Sequence, residues 1–237
     1  PGGLGKGVPR SIPSMMLTRL SHLGLAVVLA VLSGPSGPAA PLQAAELKPV
    51  SIESREGRLL VERLRDGGLV LYFRHADTAG MPCDVSYRVG DRAGQRNISA
   101  RGREQSRHIG EVFRQLAIPY QRPVLAGPVY RARDTAEEAF GATDVAVVDG
   151  LTADDFAGAR LAWVLDEHRR LMSEPVPAGT NRILVGHRTP AMMLFGAPAG
   201  GRAFPEGAAI VMEPASPPRI LGILMPAPIP GAGFHSC

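Results

Sequence analysis

Two histidines and two arginines stand at or shortly after the ends of short apolar runs. Arg74 and His75 directly follow the apolar run 69–73, and His187 and Arg131 come after two further runs of the same kind. A single histidine at a strand end usually has a structural role, because imidazole has many ways to be satisfied in a folded protein. Three such placements in one chain instead indicate a pocket where fixed cations and an imidazole nitrogen meet one anion.

The surrounding sequence alternates between strand-like runs and amphipathic stretches. Strands are predicted at 69–73, 123–126, 145–148, 182–186, 208–212 and 220–225. Helices are predicted at 54–66, at 131–140 and at 154–172, which would be the longest, and a further helix is predicted to begin after Ser99 as its N-cap. This alternation predicts an α/β fold, a three-layer α/β/α sandwich with a mostly parallel central sheet. Ligands of such sheets bind outside the carboxyl ends of the strands, where these histidines and arginines are expected.

The net charge of +4 is concentrated at the amino end of the chain. Residues 1–44 hold Lys6, Arg10 and Arg19 and no carboxylate, so the remainder carries a net charge of only +1. One Trp and four Tyr provide no basic stripe with interleaved aromatic residues. A nucleic-acid partner is therefore not expected, although the sequence pI is about 9.5.

Residues 1–44 are interpreted as a short upstream segment followed by a secretory signal peptide at about 16–44. Met15 or Met16 is a plausible start, Arg19 follows, and the apolar run 23–32 is shorter than the about 20 residues that span a bilayer. Small residues precede Ala45. We expect a periplasmic or secreted protein without stable membrane insertion after cleavage, and an uncleaved anchor or a buried helix are the alternatives. Residues 45–237 would form a single domain with its core at about 69–213 and a Pro-rich tail.

Four segments, taken in order, resemble the motifs of the histidine phosphatase superfamily, which includes the cofactor-dependent phosphoglycerate mutases. They are LYFRHA at 71–76, IS at 98–99 followed by Gly102 and Gln105, VLAGPVYRARDTA at 124–136, and VGH at 185–187. The resemblance spans about 69–213, nearly the whole expected domain. An Arg-His pair alone would be weak evidence, whereas the ordered set of four is specific.

The resemblance implies a role for each of the four residues. His75 would be the nucleophile that forms a phosphohistidine, and Arg74, Arg131 and His187 would bind the phosphoryl oxygens. The implied activity is metal-independent and cofactor-independent hydrolysis of a phosphomonoester, of the histidine acid phosphatase type, on an extracytoplasmic small-molecule or envelope substrate. A non-catalytic phosphate-binding module of the same fold and a phosphoglycerate mutase-like phosphotransferase are the alternatives.

The sequence departs from the family pattern in three places and leaves the general acid open. Ala76 stands where glycine is usual, Ala126-Gly127 stands where serine is common, and Arg188 follows the second histidine, where it could contact phosphate or narrow the pocket. The candidates for the general acid are Asp77, Asp154, Asp155 and Glu206.

The remaining reactive residue types are assigned no chemistry. His108, His168 and His235 are predicted to be structural or solvated. The sequence contains no CxxC or HExxH pattern that would indicate a metal site. Pairing of Cys83 with Cys237 and the oligomeric state stay open. The long loop 77–95 is expected to cover the pocket.

Overall fold

The computed structural model describes residues 47–196 and 203–230, together with Gly2 and Ala199. Apart from Gly2, the predicted leader 1–44 lies outside the described residues, as do His235 and Cys237. No helix in the described part is long and apolar enough to cross a membrane.

The described residues form one mixed sheet in the strand order β1-β7-β6-β2-β5-β3-β4. Its strands are β1 (Pro49–Ser51), β2 (Val70–Arg74), β3 (Val124–Ala126), β4 (Val145–Val147), β5 (Arg182–Gly186), β6 (Ala209–Glu213) and β7 (Arg219–Met225). Strand β6 runs antiparallel to both of its neighbours, and the other pairings are parallel. The prediction of a mostly parallel central sheet is confirmed.

Helices cover both faces of this sheet. They are α1 (Arg55–Asp66), α2 (Ala100–Gln115), α3 (Tyr130–Phe140), α4 (Asp154–Ala157), α5 (Leu161–Ser173) and α6 (Arg188–Phe195). Alternate residues of β2 enter two different apolar clusters: Leu71 and Phe73 pack with α1, α2 and α3, whereas Val70 and Tyr72 pack with α5 and α6. Because successive side chains of a strand point to opposite faces, two cores on one sheet define the predicted three layers.

The prediction of one long helix over 154–172 is wrong. The segment forms α4, a short 3-10 turn at Gly158–Arg160, and then α5. Gly158 has φ 52 and ψ −131, a backbone conformation that ends α4 and that residues with a Cβ rarely adopt. The longest described helix is α2, with 16 residues. The prediction also missed the short strand β1 and the helix α6.

Ser99 begins α2 as predicted and fixes the distance between this helix and the end of β2. Its hydroxyl accepts a hydrogen bond from the Gly102 amide at 2.9 Å, and its own amide donates to the Asp77 carbonyl at 2.9 Å. A Cβ on Gly102 would lie 2.1 Å from that same carbonyl oxygen. Glycine is therefore required where the first turn of α2 presses against the chain that leaves β2.

Phe113 of α2 is an aromatic centre of the core that packs between the sheet and α1 to α3. Its ring lies 6.0 Å from that of Phe73 and 5.6 Å from that of Phe140. Truncation to alanine removes these contacts and leaves a cavity, so we expect Phe113→Ala to lower the free energy of unfolding by about 3–5 kcal/mol. Chemical denaturation measures this change. Leu59→Ala, at a position 55% exposed on α1, should change it by no more than about 0.5 kcal/mol, and equal effects of the two substitutions would contradict the described packing.

Candidate active site

The two histidines lie side by side at the carboxyl ends of two adjacent parallel strands. His75 follows β2 and His187 follows β5, and the register pairs Arg74 with Gly186. The His75 amide donates to the Gly186 carbonyl at 3.0 Å, and the two imidazole centroids are 5.5 Å apart. Parallel pairing thus brings together two residues that are far apart in the sequence.

All four residues singled out in the sequence line one cavity of about 170 Å³. Its wall is formed by Arg74, His75, Arg96, Arg131, Ala153, Asp154, Asp155, His187, Arg188 and Thr189. Four arginines and two histidines therefore face two aspartates across a small space. A cavity of this composition favours an anion.

Arg96 is the charged wall residue that the sequence analysis missed, together with the uncharged Ala153 and Thr189. It belongs to the segment that leads into α2 and follows no strand, so the strand-end pattern could not identify it; its position shortly before the N-cap Ser99 was the only signal. Its Nε and Nη1 atoms are buried and have no hydrogen-bond partner among the described residues, and the same holds for Arg131 Nε and His187 Nε2. Buried polar atoms are nearly always satisfied in native proteins, so these atoms indicate where the polar atoms of a ligand belong.

His75 is held as a neutral imidazole with one defined tautomer. Its Nδ1 lies 2.9 Å from the Ala76 carbonyl oxygen, which can only accept, so Nδ1 carries the hydrogen and Nε2 keeps its lone pair. Burial lowers the pKa of His75 well below its usual range, and the positive charges of Arg74 and Arg131 lower it further. At neutral pH the ring is therefore a nitrogen nucleophile rather than a cation.

Arg74 is fixed from behind by Glu206. The two buried side chains form an ion pair of 3.2 Å, and Arg74 also donates to the Phe204 carbonyl at 3.0 Å. Burial lowers the pKa of Arg74 to about 10, although Glu206 opposes this shift. Arg74 stays charged at neutral pH, with its orientation set by groups behind the cavity wall.

Arg131 is fixed by a carboxylate from the loop that precedes α2. Both Asp84 oxygens accept from Arg131 Nη1, at 3.1 and 3.0 Å, and both side chains are buried. A second pair joins the same loop to α3, since Arg92 donates to both oxygens of Asp134 at 2.6 and 2.8 Å. Two Arg–Asp pairs thus fasten this loop to the helix that carries Arg131.

Side chains with no direct place in the cavity hold the turn after β2. The Ala76 amide donates to the Thr135 hydroxyl at 2.8 Å, and that hydroxyl donates to the Arg131 carbonyl at 2.7 Å. Gln105 accepts from the Asp77 amide at 2.9 Å. Ala76 does not have a positive φ, so alanine occupies this position without backbone strain. The motif residues around α2 and α3 therefore serve to aim His75 and Arg131.

Two of the four acid candidates line the cavity. The Asp77 carboxylate accepts from the Ser99 hydroxyl at 2.5 Å, and Glu206 is engaged by Arg74, which leaves Asp154 and Asp155 on the wall. Although Asp155 is an exposed residue, desolvation of its carboxylate at the cavity wall and the neighbouring charge of Asp154 raise its pKa. Asp155 thus holds a proton to higher pH than an ordinary aspartate. The described residues contain no group of three His, Cys, Asp or Glu side chains that could hold a metal ion.

Comparison with known proteins finds likeness in structure only. No family model and no curated protein matches the chain. Among solved structures, it is similar to the protein histidine phosphatase SixA complexed with tungstate, at 17% identity and a TM-score of 0.44, over 67% of this chain and 97% of that one. It is also similar to a mycobacterial glucosyl-3-phosphoglycerate phosphatase with inorganic phosphate, at 18% identity and a TM-score of 0.41, over 65% and 94%. A third similar structure is that of a variant of a Thermus thermophilus protein, at 19% identity and a TM-score of 0.43, over 66% of this chain and 98% of that one.

The position of the His75 titration is set by the charges around it. We expect NMR titration of the His75 imidazole to give a midpoint below the usual histidine value of about 6.5. Arg74→Gln removes the nearby positive charge that contributes most to lowering the pKa, so it should move this midpoint to higher pH. Arg122→Gln, at an exposed position paired with Asp144, should leave it unchanged. A midpoint at or above 6.5 in the unaltered protein would contradict the described burial.

Proposed function

We propose that the cavity binds the phosphoryl group of a phosphomonoester and that the protein hydrolyses this ester through a phosphohistidine at His75. The observation that carries the proposal is a neutral imidazole with an available Nε2 lone pair inside a wall of four guanidinium groups. Guanidinium binds phosphate through paired N–H donors, and the buried N–H groups of Arg96 and Arg131 that have no partner among the described residues can supply such contacts. The proposal makes this chain a histidine phosphatase.

The dimensions of the cavity support a small, highly charged ligand group. Pockets that enclose a drug-sized ligand measure about 300–1,000 Å³, whereas this cavity measures about 170 Å³. It is suited to a phosphoryl group, and the alcohol part of the substrate would extend beyond the mouth. Arg188 lines the wall next to the amino end of α6, and we include it among the phosphate contacts.

In the first step, His75 Nε2 attacks phosphorus and the bond from phosphorus to the ester oxygen breaks. The leaving oxygen takes a proton from Asp155, whose pKa is raised above that of an ordinary aspartate by desolvation and by the charge of Asp154. The Nδ1–H of the phosphorylated ring remains bound to the Ala76 carbonyl, which stabilises the positive charge that the ring gains. Arg74, Arg131 and His187 stabilise the charge on the three oxygens that do not react.

In the second step, water attacks phosphorus and the bond to Nε2 breaks. The Asp155 carboxylate left by the first step takes the proton of the attacking water and is ready for the next cycle. The products are the alcohol and inorganic phosphate, and His75 returns to its neutral tautomer. The arginines supply the positive field, so no step is assigned to a metal or a cofactor.

The proposed location of the reaction outside the cytoplasm is inferred from the sequence alone. A signal peptide at 16–44 would deliver the mature chain to the periplasm or the medium, and the substrate would then be an extracytoplasmic small-molecule or envelope phosphomonoester. Export separates the protein from glycolytic intermediates, which disfavours a phosphoglycerate mutase-like transferase. The particular alcohol is left to a screen of phosphomonoesters.

Substitution of the nucleophile tests the proposal directly. His75→Ala should lower the hydrolysis of p-nitrophenyl phosphate, with EDTA present, by about a thousandfold or more. His108→Ala removes an exposed histidine of α2 and serves as the matched control, with unchanged activity expected. Full activity of His75→Ala would overturn the assignment. Binding of inorganic phosphate without any turnover by the unaltered protein would instead identify a phosphate-binding module.

Substitution of the acid is expected to depend on the leaving group. Because a poor leaving group needs protonation most, Asp155→Asn should slow an alkyl phosphate by about 10²–10⁴-fold and p-nitrophenyl phosphate much less. Asp166→Asn, at an exposed position of α5, is the matched control. The kinetic constant kcat is compared for both substrates in each variant. An equal effect on the two substrates would exclude Asp155 as the acid and direct the same test to Asp154.

A further inference from the structure

We propose that Tyr72 and His168 are positioning residues that hold the backbone of His187 and so keep its ring directed at the phosphoryl site. The inference rests on the proposed function. It assigns a role to two buried titratable groups that take no part in the chemistry described above. His168 was predicted to be structural or solvated; it is fully buried, and its contacts indicate what its structural role is.

His187 lies at a point where regular secondary structure supplies no partner. The pairing of β2 with β5 ends at Arg74 and Gly186, and α6 begins only at Arg188. Among the described residues, no side chain caps the start of α6 by a hydrogen bond. The N–H and C=O groups of a buried residue nevertheless require partners, since leaving them unsatisfied costs stability.

The hydroxyl of Tyr72 satisfies both groups. The His187 amide donates to Tyr72 Oη at 2.9 Å, and Tyr72 Oη lies 2.8 Å from the His187 carbonyl oxygen, to which it can donate. Tyr72 is fully buried on β2, so its position is fixed by the sheet and by the core around it. One side chain thus continues the strand pairing by one residue and holds the histidine from behind.

The close approach of Tyr72 restricts position 186 to glycine. A Cβ at position 186 would lie 2.4 Å from the Tyr72 hydroxyl oxygen and 2.9 Å from the ring carbon that bears it. Any side chain there would displace the tyrosine. The glycine before the second histidine is therefore required by the approach of Tyr72, and this requirement is independent of the hydrogen bonds themselves.

His168 holds the hydroxyl in turn. Its Nε2 lies 3.3 Å from Tyr72 Oη, and its Nδ1 lies 2.8 Å from the Val164 carbonyl oxygen. A carbonyl can only accept, so Nδ1 carries the hydrogen. Burial lowers the pKa of His168, although the carbonyls of Val164 and Gly150 oppose the shift, so the ring is neutral at neutral pH. With the hydrogen on Nδ1, Nε2 is an acceptor. The single proton of Tyr72 is directed at His187 O, at 2.8 Å, and His168 Nε2 is a second, longer acceptor for it at 3.3 Å.

A positioning role and a packing role of the Tyr72 hydroxyl predict different kinetics, so they can be distinguished by measurement. If the hydroxyl only fills space, its removal alters stability and leaves the kinetics of the folded protein unchanged. If it positions His187, its removal lowers kcat/KM and weakens the binding of inorganic phosphate, since misplacement by about 1 Å can cost about a hundredfold in rate.

The test uses the full chain, p-nitrophenyl phosphate as substrate and inorganic phosphate as competitive inhibitor. Tyr72→Phe keeps the ring and removes the hydroxyl, and we expect kcat/KM to fall about 10- to 100-fold with a weaker phosphate inhibition constant. NMR titration of the His187 imidazole should show its midpoint moving up towards the usual histidine value as the ring loses its fixed buried place. Tyr120→Phe removes a tyrosine hydroxyl elsewhere in the core and is the matched control.

A second pair of variants keeps the test decisive if Tyr72→Phe folds poorly. His168→Gln retains an acceptor for the Tyr72 hydroxyl, and His168→Leu does not. We expect the glutamine variant to keep most of the activity and the leucine variant to lose about tenfold or more. Equal activity of these two variants would overturn the inference, as would a folded Tyr72→Phe protein within twofold of the unaltered one.

Failure of the proposed function has a different signature. If the unaltered protein binds inorganic phosphate and hydrolyses no ester, the phosphatase assignment fails. The positioning of His187 is then judged by phosphate affinity in the same variants: a loss of affinity in Tyr72→Phe and His168→Leu supports it, and unchanged affinity contradicts it.

Discussion

The structure depends on the burial of several positive groups at one edge of the sheet. Removing a guanidinium group from water costs several kcal/mol unless counter-charges and hydrogen bonds replace the lost hydration. Glu206 supplies this for Arg74 and Asp84 supplies it for Arg131. The buried N–H groups of Arg96 remain without a partner among the described residues. The unmet part of this requirement is what a phosphoryl group would satisfy, so the demand for counter-charge explains both the internal ion pairs and the proposed ligand.

The same positive field determines the state of His75. Positive neighbours and burial both disfavour the imidazolium form, and the Ala76 carbonyl selects the tautomer with the lone pair on Nε2. One environment therefore attracts the anion and keeps the proposed nucleophile neutral. The pKa of Asp155 moves in the opposite direction, because desolvation and the charge of Asp154 oppose its ionisation. A neutral imidazole and a carboxyl group with a raised pKa on one cavity wall fit the proposed displacement at phosphorus.

Much of the fold and seven of the ten residues of the cavity wall could be named from the sequence, for identifiable reasons. Strand-like runs followed at once by Arg74-His75 and by His187 place those residues at the carboxyl edge, because the edge of a parallel sheet follows from chain direction alone. The resemblance to the histidine phosphatase superfamily reached the same residues by their motifs. Arg96 escaped because it lies in irregular chain, and Asp84 because a buried ion pair depends on how a loop folds back onto α3. The break at Gly158 escaped because the apolar spacing continues across it, and a glycine within such a pattern does not by itself reveal a positive φ.

The central claim is that His75 Nε2 forms a covalent bond to phosphorus during turnover. It is tested most directly by mixing the protein with a phosphomonoester, quenching in alkali within milliseconds to seconds, and locating the modification by mass spectrometry of the digested chain. The account predicts a phosphoryl group on His75 that survives alkali, is lost in acid, and is absent when the substrate is omitted. Hydrolysis that proceeds with no phosphorylated His75 at any quench time, or with the phosphoryl group on another residue, would contradict it.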